Sequence, residues 1–230
     1  MNKYRSGTKL SPYAIKLGLL FLAYFALGTL GLNFDPVSGF ATLVWAPSGL
    51  SLAALLIFGY RLWPAITLAA FLVNLTTGAP VLAAVGICIG NTLGALVGVF
   101  ILKKTGFRNS LLRAEDVVKL LIFGAFLSTI ISATIGTSSL LVTSVMSASA
   151  YGSTWSAWWV GDMLGDLIVA PLLLCWASNP KKILGGETRI EFILWLIATA
   201  ASGLIVFGQV LDPTVRNSPL SYLVFPPLIW

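Results

Sequence analysis

Ser153–Trp176 reads STWSAWWVGDMLGDLIVAPLLLCW. At a helical rise of ~1.5 Å per residue the run spans roughly 36 Å, enough for a hydrocarbon core of about 30 Å. It opens with Trp155, Trp158 and Trp159, whose rings suit the headgroup level of a bilayer. It then sets two carboxylates, Asp162 and Asp166, inside an otherwise apolar stretch. An ionised carboxylate at that depth is costly unless it is paired, protonated or wet. By the spans assigned below, these are the only two acids expected to be buried. The rest of the chain reads as a shell around this helix.

The chain has 230 residues, of which 57% are hydrophobic and only 10% charged. A soluble domain carries roughly 25% charged residues, so composition alone points to an integral membrane protein. Twenty-two glycines suit membrane helices packed through small residues. There is no histidine, which excludes a histidine base, a phospho-accepting histidine and the common histidine-ligated metal sites within the chain. Cys88 and Cys175 fall in apolar spans at different depths, so neither a disulfide nor a metal motif is expected. No metal, cofactor or nucleic-acid partner is implied. The net charge of +6 lies in loops and has a membrane explanation.

Hydropathy divides the chain into about eight spans: Pro12–Gly31, 40–59, a short one at 63–75, 80–102, 117–140, the opening helix, 190–210, and a last one from Leu220 that is cut short at Trp230. The expected fold is all-α, a polytopic transmembrane helical bundle. Pro12–Gly31 has the basic start of a signal peptide. Its length and the lack of a clean cleavage site favour a retained first helix.

The basic loops alternate with nearly neutral ones. The N-terminus carries Lys3, Arg5 and Lys9, the 60s turn Arg61, the 103–119 loop Lys103, Lys104, Arg108, Arg113 and Lys119, and the 180s loop Lys181, Lys182 and Arg189. Loops 32–39, 76–79, 141–153 and 211–219 hold only Arg216 between them. This positive-inside pattern puts the N-terminus in the cytoplasm and the tryptophans outside. The 103–119 loop reads either as a short interfacial helix or as a capped entry into the fifth span.

Gly86, Gly90, Gly94 and Gly98 recur every four residues and share one helical face, a groove for close helix packing. Asn91 lies beside that stripe, and its amide requires either a cross-link between helices or a cavity. Gly161 and Gly165 repeat the spacing beside Asp162 and Asp166. The acids are candidates for cation binding, proton sensing or recognition of a cationic or polyol ligand. The alternative is hydrogen bonding to the fifth span, where Ser128, Ser132 and Gly136 share a face with Thr129 and Thr134 nearby. Pro47 and Gly49, in Trp45-Ala46-Pro47-Ser48-Gly49, read as a break in the second span, and Pro171 as a break in the opening helix. Both are hinge candidates. No nucleophile–base pair, phosphate loop or metal spacing is present.

Several of these stretches together resemble one family. They are VWAPSGLSLAALLIFGYRLWPAI (Val44–Ile66), FLVNL (Phe71–Leu75), GICIGNTLGALVG (Gly86–Gly98), STIISATIG (Ser128–Gly136) and WSAWWVGDMLGDLIVAPLLL (Trp155–Leu174). They look like the bacterial membrane-associated sensor domain of the first type, the MASE-one family. The matching positions include Pro47, Gly49, Asn74, Gly90, Asn91, Trp158, Gly161, Asp162, Gly165 and Pro171, whereas Asp166 falls where the family is usually apolar.

The resemblance implies a single sensor domain over 1–230 in the bacterial inner membrane, with no enzymatic activity of its own. It also implies a histidine kinase, diguanylate cyclase or phosphodiesterase as a fused or associated cytoplasmic output that these residues do not contain. The polar-centre candidates are Asp162, Asp166, Asn91 and Asn74. The expected partners are the lipid bilayer, that output domain, and a homodimer mate or another membrane protein. A small transporter or a membrane substrate-binding subunit is the rival class, and a docking scaffold with the glycine faces as its interface is a third.

Overall fold

The computed structural model describes residues 11–33, 42, 44–178, 194 and 197. Among them the protein is all-helical and has no strand. The helices are α1 (Pro12–Asn33), α2 (Ala46–Phe58), α3 (Trp63–Thr76), α4 (Val81–Lys104), α5 (Ala114–Val142) and α6 (Tyr151–Ser178). A 3-10 turn, Tyr60–Leu62, joins α2 to α3. The spans expected at 190–210 and from Leu220, and the basic residues of the N-terminus and the 180s loop, lie outside the described residues. The chain forms two compact units, Met1–Cys175 and Trp176–Trp230, and everything below concerns the first.

Four helices are long and apolar enough to cross a membrane: α1, α4, α5 and α6. The 13 residues of α2 and the 14 of α3 cover only about 20 Å each. Prolines explain several helix starts. Pro12, Pro47 and Pro64 lie in the first turns of α1, α2 and α3, and Pro80 immediately precedes α4. In the first turn proline's missing N–H costs nothing and its fixed φ suits the helix.

Two sequence expectations therefore change. Pro47 does not break a longer helix, because α2 begins at Ala46, and Thr42, Val44 and Trp45 ahead of it are not helical. Pro171 lies within α6, which stays helical from Tyr151 to Ser178. The fifth span also departs from regular α geometry, being π-helical over Leu120–Leu127. Side chains also reach the carbonyls of this stretch. Ser128 donates to Gly124 O, Thr129 to Ala125 O, and the Trp159 indole to Phe126 O at 3.1 Å.

α4 is central. It packs on α3, on α2 and most extensively on the Ser128–Val142 part of α5, while α1 lies against α3 and α2. The glycine stripe faces α5. A Cβ at Gly94 would lie 3.2 Å from Ser128 O, one at Gly90 3.1 Å from Ile135 Cβ, one at Gly98 3.0 Å from Ser128 Cβ, and one at Gly86 on the Ser139 hydroxyl. A glycine of α5, Gly136, receives the Trp158 ring.

The closest approach is between α6 and the start of α2. Trp45 N–H donates to Gly161 O at 2.8 Å. A Cβ on Gly165 would overlap the Trp45 carbonyl, and one on Gly49 would overlap the Gly165 carbonyl. Gly161 lies about 15 Å along α6 from Tyr151, so α2 starts against a point roughly a third of the way along that 28-residue helix.

The tryptophans do more than mark a headgroup level. Trp158 is buried. Trp155 stacks on Trp159 and donates its indole N–H to Thr134 Oγ1 at 3.0 Å, and Trp159 meets the Phe126 ring edge-on. Each indole has one donor, and in an apolar surrounding it finds a partner on the neighbouring helix. The entry to α5 is tied down by an acid of its first turn. Asp116 accepts from Arg108 N–H at 3.0 Å and from two nitrogens of Arg113 at 2.7 Å each. Asp116 is thus a third buried acid, unlike the other two in being fully paired.

Overpacking a tight core typically costs ~1–3 kcal/mol, and overlap with backbone cannot be relieved by a rotamer change. Gly165→Ala and Gly49→Ala should therefore each lower stability by about 2 kcal/mol or more. Gly18→Ala, whose Cβ meets nothing within 4 Å, should be neutral or stabilising by at most about 1 kcal/mol. Thermal unfolding in detergent, followed by size-exclusion retention, would separate the two classes.

Candidate functional site

A polar side chain in an apolar bundle must find partners within the protein. Asn91 of α4 does so in two directions. Its Nδ2 donates to the Tyr24 hydroxyl of α1 at 3.0 Å, and its Oδ1 accepts from Ser132 Oγ of α5 at 2.8 Å. Tyr24 is almost completely buried, at 1% exposed, and its hydroxyl also engages the Trp45 side chain. Ser132 and Trp158 approach the Asp162 carboxylate from α5 and from one turn earlier on α6. Five sequence segments thus converge on one point: α1, the start of α2, α4, α5 and α6.

Both acids are buried, each 2% exposed. Ser48, in the first turn of α2, approaches Asp166. Oδ1 of Asp162 and Oδ1 of Asp166 accept no hydrogen bond. The helix start adds favourable electrostatics, since the N-terminal turn of a helix carries unpaired N–H groups and partial positive charge. No lysine or arginine pairs with either acid among the described residues.

Two narrow cavities meet at Asp162. One is lined by Tyr24, Trp45, Ser48, Ser51, Asn91 and Asp162, together with Ser128, Thr129 and Ser132 of α5. The other is lined by Thr42, Trp45, Asn74, Asn91, Trp158 and Asp162. Each has room on the order of one water molecule. Trp45, Asn91 and Asp162 belong to both.

The candidates named from sequence fall as follows. Asp162 and Asn91 stand together at the centre. Asn74 is buried and lines the second cavity, with its Nδ2 donating to Ala70 O of its own helix at 2.8 Å. Asp166 lies one turn further along α6, beside Ser48 rather than in either cavity. Pro47, Gly49, Gly161 and Gly165 form the crossing of α2 and α6, and Pro171 is remote from it. Gly90 and Gly94 bring α4 close enough to α5 for Asn91 to reach Ser132.

Sequence reasoning missed Tyr24, Trp45 and Ser48, and considered Ser132 only as a partner for the acids. Tyr24 carried a signal: unlike Tyr13 at the start of the first span, it is a hydroxyl-bearing ring set in the span's interior. No groups of three or more histidine, cysteine or acidic residues suited to a metal occur among the described residues.

The MASE1 family model matches residues 16–230, nearly the whole chain, and the chain belongs to that family of membrane-associated sensor domains. The domain is sensory rather than catalytic, and it is a membrane protein in contact with the bilayer. Comparison with curated proteins and with solved structures returned no match.

A hydrogen bond between membrane helices averages about 0.6 kcal/mol and reaches about 1.7. Asn91→Ala and Tyr24→Phe each sever two and should each cost about 1–2 kcal/mol. The double variant should cost less than their sum because they share one bond, whereas Tyr24→Phe with Thr92→Val should be additive. A double-mutant cycle on unfolding midpoints checks both.

Proposed function

We propose that the chain is the sensory input domain of a bacterial inner-membrane signalling protein. In this reading it has about eight membrane spans and a cytoplasmic N-terminus, and residues 1–230 act as one sensor unit. Its last span leads into a histidine kinase or a cyclic-di-GMP enzyme, which carries any catalysis. The observation that carries the reading is the polar centre at Asp162. One stimulus-sensitive cluster ties together α1, α4, α5, α6 and the start of α2, so a change there alters the packing of every one of them. A signal shifts such a bundle only by its differential affinity for two packings, and a few kcal/mol suffices. The α2–α6 crossing, with Pro47 and Gly49, is the joint at which those packings differ.

One observation favours a second reading. A helix whose first turn lies inside the bundle beside a buried carboxylate is also how transporters build substrate sites. Flux in proteoliposomes separates the two: counterflow of a bound solute supports transport, and binding without flux supports sensing.

The test of the sensor reading uses the full-length protein with its output domain. Asp162→Asn and Asn91→Ala should each change output activity at least several-fold, with membrane levels unchanged. Unaltered output in both would reject the polar centre as the sensing element. Orientation is checked independently. A fluorescent reporter inserted at Gly106 should mature in the cytoplasm, and one at Gly78 should stay dark.

A further inference from the structure

The walls of the first cavity are rich in acceptors. Ser51 Oγ donates its one proton to Pro47 O at 2.7 Å, Ser128 to Gly124 O, and Thr129 to Ala125 O, each a carbonyl one turn back on its own helix. Ser132 Oγ donates to Asn91 Oδ1 at 2.8 Å. These four hydroxyls have only lone pairs left to offer a guest. Asp162, which lines the same cavity, adds a buried Oδ1 that accepts no hydrogen bond. Tyr24 and Asn91 are the donors of this wall: the Tyr24 hydroxyl accepts from Asn91 Nδ2 and engages Trp45, and the Asn91 amide has a second N–H.

Among the described residues no cationic side chain balances this wall. Their lysines and arginines, Lys16, Arg61, Lys103, Lys104, Arg108, Arg113 and Lys119, all lie in loops or within two turns of a helix end. The titratable groups facing Asp162 are Tyr24 from α1 and Asp166 from its own helix, while Cys88 of α4 faces Tyr24. The start of α2, α3 and α5 present hydroxyls, amides and indoles. A hole the size of one water, lined with lone pairs and one unpaired carboxylate oxygen, calls for a small positive guest.

We propose that this cavity binds one small monovalent cation, a proton or a sodium ion, on Asp162 Oδ1 and the surrounding hydroxyl oxygens, chiefly that of Ser132. The proposal rests on the sensor reading only for its consequence, since binding itself requires no output domain. Occupancy sets the direction of a relay. With the cation bound, Asp162 needs no donor, and the observed order holds: Ser132 donates to Asn91, and Asn91 to Tyr24. With the cation gone, the bare carboxylate accepts the Ser132 hydrogen bond in place of Asn91 Oδ1. The Asn91 amide then turns to donate to Ser132, and Tyr24 donates to Asn91. One cation thereby reverses hydrogen bonds running from α6 through α5 and α4 to α1.

The test uses the full 230-residue chain in nanodiscs of zwitterionic lipid. Infrared difference spectra of the carboxyl band and tryptophan fluorescence are followed while pH is varied in choline chloride. They are followed again while sodium chloride replaces choline chloride at fixed pH. The expected result is a saturable response that Asp162→Asn abolishes, Ser132→Ala weakens by about tenfold or more, and Glu115→Gln, at an exposed position, leaves intact. A response to pH alone identifies the proton, and a response to sodium that competes with pH identifies the ion. No response in folded wild-type protein overturns the proposal, as does one that survives Asp162→Asn. If Asp162→Asn does not fold, the wild-type titration and Ser132→Ala decide. The two readings fail separately. A cation response with normal signalling in full-length Asp162→Asn keeps the site and removes the sensor role. Altered signalling with no cation response does the reverse.

Discussion

Two backbones touch where α2 begins. The Trp45 N–H reaches the Gly161 carbonyl, and Gly49 and Gly165 leave no side chain between the two segments. This contact depends on glycine at both positions, because even a methyl group would collide with a carbonyl. Much else follows from it. A 13-residue helix can begin at membrane depth only if its first turn is satisfied by protein, and α6 supplies that partner. The contact also delivers Ser48 to Asp166 and Trp45 to Tyr24.

The polar centre follows the same rule on a larger scale. The glycines of α4 bring α5 within reach, so Asn91 can bridge α1 and α5 with short bonds. Asp116 shows how the chain treats an acid whose role is structural: it is enclosed by Arg113 and a backbone N–H, with both oxygens engaged. Asp162 and Asp166 are as deeply buried yet each keeps one oxygen free. That contrast within one chain separates an acid that anchors a loop to a helix start from acids left available.

The membrane class, the long spans and the prominence of Asp162 and Asn91 were legible because they depend on composition and on spacing along one helix. An acid or an amide in an apolar run is conspicuous wherever it lies, and glycines four apart always share a face. What could not be read depended on where helices begin and on which helices meet. Pro47 fits a kink or a first turn equally well, and only the crossing with α6 decides between them. Tyr24 drew no reading from the sequence, because only the fold of the bundle sets Asn91 of α4 against its hydroxyl. The tryptophans satisfied a belt pattern, but Trp158 faces inward on Gly136. The π-helical stretch Leu120–Leu127, all apolar apart from one glycine and one alanine, gave no local sign of its winding.

That stretch divides α5 into two separately phased halves. In a continuous α-helix, adding or losing a residue turns everything beyond it by roughly 100°. In α5 such a change between Leu120 and Leu127 could be absorbed by tightening or widening the loose turns. The tied-down entry at Arg113–Asp116 and the Ser128–Ser132 face could then both keep their bearings. Length variation among related chains should accordingly gather in this stretch of α5, and stay away from α4, where every glycine is fixed against its neighbour.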